Sequence, residues 1–224
     1  MIVSRRMAGL LVGLAAALGA SGCKSMSGPA MNVSGEQAQT PTAQEDQVFL
    51  ALIRGMNEKG QSQAALAFLD DYLKRHPGNA EALTLQGEAL LRTNQLDKAE
   101  QVYLALDRRR IQPAAAFGLG QVRAQYNDWK GAAPQYARAA QTAPTDPRVL
   151  NNYGFALLKT GDFATAYDVL SRAAQLAGEN SQVRTNLAIA ALNSGHDDKV
   201  TAILSPLPAG ERDAALAFAR SWKP

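Results

Sequence analysis

Apolar and small residues recur along this chain at helical spacing, and the helices themselves recur at a longer spacing. The stretch from Asp146 to Gly178 shows one complete unit. Asp146-Pro147 is a helix start, an N-cap side chain followed by proline at the first helical position. Leu150, Tyr153, Gly154 and Leu157 then fall at i, i+3, i+4 and i+7, one face of a helix. Thr160-Gly161-Asp162 breaks that helix and caps the next, whose inner face carries Ala166, Leu170 and Ala173. Gly178 is placed to end it in a left-handed conformation. The pattern predicts two antiparallel helices whose close approach, at the short end of the ~8–10 Å range, depends on the small Gly154 and Ala166.

The same pattern repeats. Moving back 34 residues from Gly154 gives Gly120, and 33 more gives Gly87. With Pro147 as position 1, the unit from Pro113 carries Leu119, Gly120, Ala132, Tyr136, Ala139 and Pro144 at matching positions. The unit from Ala80 carries Leu83, Gly87, Leu90, Ala99 and Tyr103. The unit from Asp46 carries Phe49, Leu52, Met56, Ala65, Leu69 and Pro77, with Ile53 in place of the glycine. Ser181 opens a degenerate fifth unit with Leu187, Ala188, Ala191 and Leu204, in which Val200 replaces the small alanine. The expected units are 46–79, 80–112, 113–146, 147–180 and 181–207. A last amphipathic helix, Ala209 to Trp222, lies within 208–224. Terminal units drift from a repeat pattern because one side faces water.

These positions resemble the tetratricopeptide repeat: Leu150, Tyr153, Gly154, Leu157, Ala166, Leu170, Ala173 and Gly178 occupy its eight signature positions, with only Gly178 off type. The resemblance implies an all-α, right-handed α-solenoid of four to five helix pairs plus a C-terminal helix. Two positions strain it. Pro134 removes a backbone hydrogen bond in the second helix of the third unit, which predicts a kink there or a helix starting near Gly131. Arg123 stands where an aromatic residue is usual, so its stem is expected to pack while its head reaches solvent.

Composition changes this picture little. The alanine-rich chain is 46% hydrophobic over 224 residues, enough for one elongated helical domain. Arg5 and Arg6 lie in a segment expected to be removed, and without them 21 basic residues (23 less 2) face 20 acidic ones. The basic isoelectric point is therefore no argument for nucleic-acid binding. The one basic cluster, Asp107-Arg108-Arg109-Arg110, sits at a helix end, where the helix dipole favours cations.

The N-terminus matters more. Arg5 and Arg6 precede an apolar core of 14 residues, Met7 to Ala20, too short for a transmembrane helix of ~20 residues. Ala20-Ser21-Gly22-Cys23 follows, and Cys23 is the only cysteine, so it cannot form an internal disulfide. The arrangement resembles the bacterial lipoprotein signal, with Ala20 where leucine is commonest. That resemblance implies removal of residues 1–22, lipid on Cys23, and residues 23–45 as the lipidated cysteine and a disordered, Ser/Gly/Gln-rich tether. About twenty tether residues reach on the order of 25 Å. Lys24 after the cysteine is similar to signals for the outer membrane, facing the periplasm.

No catalytic constellation is visible, so no enzyme activity and no cofactor are expected. His76 and His196 stand alone in turns, without partners at metal-ligand spacing. Asp70-Asp71 and Asp197-Asp198 are adjacent, so their side chains diverge. Leu96, Trp129 and Phe163 share one repeat position and read as packing residues.

In the family this chain resembles, function lies on the concave face, at repeat positions 2, 5, 6, 9 and 12. The residues there include Gln121, Arg148, Asn151, Asn152, Phe155, Thr185, Asn186 and Ile189. Asn152 and Asn186 hold one position in successive repeats, where a donor and an acceptor together suit the backbone of an extended peptide. Phe155 and Ile189 are expected to form an apolar floor. Phe117 and Gln182 stand where chaperone-binding relatives carry clamp lysines, so that specificity is not expected. The segment Tyr153 to Ala191, chiefly LAGENSQVRTNLAIA (Leu176–Ala190), is similar to the TadD-type accessory proteins of Tad/Flp pilus assembly. This implies a membrane-anchored scaffold for envelope proteins, with a role in secretin assembly or localisation. Two further readings share the plan: a pilotin of type IV pili, and an adaptor for peptidoglycan enzymes.

Overall fold

In the computed structural model, the described residues are 43–109 and 114–223. The signal segment, Cys23 and the tether up to residue 42 lie outside them, as does Arg110. Helices α1 (Ala43–Glu58) and α2 (Ser62–Arg75) form the first pair, followed by α3 (Ala80–Arg92) with α4 (Leu96–Arg108) and α5 (Ala114–Gln125) with α6 (Trp129–Thr142). Next come α7 (Pro147–Thr160) with α8 (Phe163–Ala177), then α9 (Ser181–Asn193) with a 3-10 turn (Asp197–Lys199) and the short α10 (Val200–Leu204). Helix α11 (Ala209–Ser221) packs on α9 and α10 and closes the series. Each helix contacts its neighbours in order, and α1 touches α3, α3 touches α5, and α7 touches α9. This is an α-solenoid whose first helices form one layer and whose second helices form the other.

Local chemistry sets the helix ends. Asp146, Asp162 and Asp128 cap α7, α8 and α6, accepting from the backbone N–H groups of Arg148 (2.8 Å), Thr165 (3.2 Å) and Gly131 (2.9 Å). Asn79 and Asn180 do the same for α3 and α9. Every first helix ends alike. Gly60, Asn94, Asn127, Gly161 and Gly195, all at repeat position 15, have φ between 56° and 83°. One residue on, the N–H reaches back to the carbonyl of position 11, as in Gln95 to Leu90 at 2.8 Å and Asp162 to Leu157 at 3.0 Å. This is the Schellman termination, which needs a left-handed residue, and asparagine adopts that conformation at lower cost than most residues.

Packing inside each pair follows from the repeating glycine. A Cβ on Gly120 would stand 2.7 Å from the Tyr136 ring, one on Gly87 would stand 2.5 Å from Tyr103 Cζ, and one on Gly154 would collide with Leu170. The glycines let a large side chain at position 24 of the second helix lie directly on the first helix. Tyr103 is wedged from both sides, since Gly118 of the following pair lies against its other face. The cores are local and serial. Leu50, Ile53, Leu69 and Tyr72 form the first, Leu90, Tyr103, Leu106 and Val122 the next, and Leu150, Leu158, Leu170, Ile189 and Leu204 the largest.

Three expectations are corrected. Ala43–Glu45 belong to α1 and not to the tether, because acidic Glu45 and Asp46 in the first turn suit the helix dipole. Helix α6 starts at Trp129 and runs through Pro134, because the Asp128 cap sets the start two residues before Gly131. Leu52 is 61% exposed, since no described helix precedes α1 to cover that face. The Arg123 side chain stays 42% exposed, as expected, and its head also ion-pairs with Glu100 on α4. Val200 sits where the second helix of the fifth pair is shortest, matching the degeneracy of that unit. In the basic cluster, Asp107 pairs with Arg138 at 2.6 Å and Arg109 donates to the Gly78 carbonyl at 2.8 Å, so these charges join successive pairs.

Candidate interaction groove

Two adjoining cavities run across the layer of first helices. The larger, of about 650 Å³, spans α1, α3, α5 and α7, and its walls include Arg54, Glu58, Glu88 and Arg92. The smaller, of about 310 Å³, spans α5, α7 and α9 and is lined largely by carboxamides: Gln121, Asn151, Asn152, Asn180 and Gln182. Phe117, Gln121 and Arg148 border both, so the two form one groove with Phe117 near its middle. The Phe117 ring is held by Tyr136 at a centroid distance of 5.8 Å.

The eight predicted site residues divide. Gln121, Arg148, Asn151 and Asn152 are brought together in the smaller cavity. Arg148 is tied to Asp146 by a 3.0 Å ion pair, which raises its pKa further. Burial pushes the Asp146 carboxyl up, but the Arg148 side chain and the helix backbone outweigh it and hold the carboxyl below its usual range. Asn186 is not a groove residue. It is 5% exposed and its Nδ2 donates to Asn151 Oδ1 at 2.9 Å, joining α9 to α7. The aligned pair of asparagines therefore does not form a ladder, because the deeper one is consumed by a bond between repeats. Ile189 is fully buried in the C-terminal core and provides no groove floor. Phe155 is half-buried and packs edge-on to Trp129, with centroids 5.3 Å apart. Thr185 lies in a separate hollow against Phe218 of α11.

The charged half of the groove was missed. Arg54 and Glu88 stand at repeat position 9, the position that singled out Gln121, so the same spacing applied to the first two units finds them. Glu58, Arg92 and Gln125 share position 13, which the positional rule did not include. Burial raises the Glu88 carboxyl above its ordinary pKa, with Arg92, Arg148 and Arg54 acting in the opposite sense. Elsewhere His76 stacks on Tyr72 and His196 on Tyr167, at centroid distances of 4.5 and 4.1 Å. Among the described residues, no group of three or more His, Cys, Asp or Glu side chains is placed to hold a metal, and no helix is long and apolar enough to cross a membrane.

A stack of helix pairs with a polar groove along one layer defines a helical-repeat scaffold for protein interaction. Sequence comparison gives it a family. Tetratricopeptide repeat models match residues 58–113 and 157–220. The TPR repeat-containing protein PA4299 of Pseudomonas aeruginosa is 30% identical over 214 residues, covering 94% of this chain and 84% of its own length. The chain belongs to the tetratricopeptide-repeat proteins. Solved structures share the fold. TTC0263, a thermophilic TPR protein of Thermus thermophilus, superposes with a TM-score of 0.61 at 20% identity, covering 79% of this chain and 100% of that one. YrrB, described as a TPR protein with an unusual peptide-binding site, gives 0.58 at 16% identity over 78% and 91%. MamA from Desulfovibrio magneticus RS-1 gives 0.58 at 18% identity over 80% and 97%.

Proposed function

We propose that this protein is a lipid-anchored, non-catalytic scaffold of the cell envelope that holds a segment of a partner protein in the groove and serves Tad/Flp pilus assembly, with the secretin as its partner. The observation that carries the binding role is the continuous groove over α1 to α9, with Phe117 at its centre and carboxamides along its C-terminal half. Carboxamides pair with peptide backbone in either direction, and an aromatic ring gives a side chain a place to pack. A peptide-binding site is also what the description of YrrB reports for that protein. The anchor rests on Arg5-Arg6, the apolar core and Ala20-Ser21-Gly22-Cys23. A diacylated or triacylated cysteine gives stable attachment where a single chain gives marginal binding.

The test is crosslinking in cells followed by affinity capture of the lipidated protein from envelopes. A secretin or another pilus component as the main crosslinked partner, with fewer secretin multimers after deletion, supports the reading. Recovery of cell-wall hydrolases with unchanged secretin multimers overturns the pilus assignment. Fractionation of Cys23→Ala checks the anchor separately: release into the soluble periplasm is expected, and retention in membranes removes the lipid from the account.

A further inference from the structure

The two halves of the groove differ in charge, and the difference has a direction. The larger cavity is lined by three guanidinium groups and two carboxylates. Two of the guanidiniums are already neutralised by carboxylates outside that lining, Arg54 by Glu81 and Arg148 by Asp146. What remains is Glu58 and Glu88 against Arg92. Glu88 and Arg92 stand four apart on α3, a spacing that usually pairs them, yet no ion pair joins them among the described residues. Glu88 is the half-buried member, while Glu58 and Arg92 are exposed at the rim.

A second observation points the same way. Asn57 on α1 lines this cavity and is 2% exposed. Its Nδ2 donates to the Leu85 carbonyl at 3.1 Å, which fixes the amide's orientation, and its Oδ1 has no donor among the described residues. Buried acceptors are ordinarily satisfied. One wall of the cavity therefore holds a half-buried carboxylate without a counter-ion in contact, and the same lining includes the buried Asn57 amide, whose Oδ1 lacks a donor and is itself sealed from solvent. Leu91 and the Phe117 ring supply apolar surface in the same cavity.

We propose that the N-terminal half of the groove is a pocket for a lysine or arginine side chain of the bound segment. Its head meets the Glu88 carboxylate beside the Asn57 amide, and its stem lies along Leu91 and Phe117. The long apolar stem and terminal donors of these side chains match such a pocket, and an ammonium or guanidinium over an aromatic face gains further attraction. This inference rests on the groove being the binding surface and adds the chemistry of its ligand. The partner segment reads as basic toward α1–α3 and as neutral main chain toward α7–α9.

The experiment is selection from a random-peptide display library on the immobilised full-length protein in detergent, compared with Glu88→Gln, Arg92→Gln and a Phe117→Ala/Asn152→Ala double variant. The wild type is expected to enrich peptides with Lys or Arg in one fixed register. Glu88→Gln, which keeps the volume, should weaken binding of those peptides roughly tenfold, the scale of one lost charge-assisted hydrogen bond. Arg92→Gln, at an exposed position, should strengthen it. Enriched peptides without a basic register, or with one that Glu88→Gln leaves unaffected, overturn the pocket. If the double variant still abolishes that binding, the groove reading stands without it. Weaker binding by Arg92→Gln also overturns the charge assignment. No enrichment by the wild type overturns both readings.

Discussion

Replacing Gly87 by alanine tests the packing rule that shapes every repeat. The new Cβ would stand 2.5 Å from Tyr103 Cζ, 2.8 Å from Cε1 and 2.9 Å from Oη. Carbon atoms settle near ~3.5–4.0 Å, so the ring or the helix must retreat by about 1 Å. The ring cannot simply swing away. Tyr103 is 1% exposed, and the α5 backbone at Gly118 blocks its opposite face. Overpacking of this kind costs ~1–3 kcal/mol, while alanine in a helix interior gains about 1 kcal/mol over glycine. Gly55→Ala on α1 isolates the second effect, because nothing lies within 4 Å of a Cβ there. Both variants share the propensity gain, so the difference between them is the packing cost. With a urea m-value of ~2 kcal/mol/M, Gly55→Ala should raise the unfolding midpoint by about 0.5 M and Gly87→Ala should fall ~0.5–1.5 M below Gly55→Ala. The assay is urea denaturation of the purified protein followed by far-UV circular dichroism. Equal gains for the two variants would refute the claim that Gly87 is held by contact with Tyr103.

Three further outcomes are expected. Asn186→Ala leaves Asn151 Oδ1 buried without its donor and should cost ~1–3 kcal/mol; in a double-mutant cycle with Asn151→Ala the second change should cost much less, and strict additivity would remove the bond from the account. Glu88→Gln should raise the unfolding midpoint at neutral pH, where wild type carries a charged carboxylate disfavoured by burial. That penalty is absent below the ordinary carboxylate range and grows as pH rises through the raised folded-state value. The advantage of the variant should therefore shrink as pH falls through that range, whereas a constant or growing advantage would contradict the desolvated carboxylate. Asp162→Ala removes the cap of α8 and should lower stability by ~1 kcal/mol, read from the same denaturation curves.

The helix pairs were legible because each rests on local chemistry. Asp146-Pro147, Gly161-Asp162 and the recurring Gly87, Gly120 and Gly154 announce starts, turns and contacts within a few residues. The left-handed Asn94 and Asn127 were not singled out, although they stand in register with Gly60, Gly161 and Gly195. The groove was harder to read because repeat position does not determine depth. Asn152 and Asn186 are equivalent in the pattern, yet α11 and α10 cover α9 on a side where α7 has other neighbours, and Asn186 turns inward to Asn151. Ile189 is buried for the same reason, by the C-terminal core that closes over its helix. The charged wall of Arg54, Glu58, Glu88 and Arg92 comes from two different units and becomes a site only when α1 and α3 are laid side by side.

The double wedge around Tyr103 means that these repeats are not interchangeable building blocks. Tyr103 requires glycine on its own first helix and, across the boundary, at position 6 of the next unit. The corresponding positions hold Asn152 and Asn186 in the two units that follow, and neither could accept that ring at the same distance. Deleting the third unit, or exchanging it with the fourth, would press an asparagine into the space Gly118 leaves open. The order of the units is thus written into their joints. Chimeras of this chain should keep α3, α4 and α5 together, so that Tyr103 travels with both of the glycines it faces.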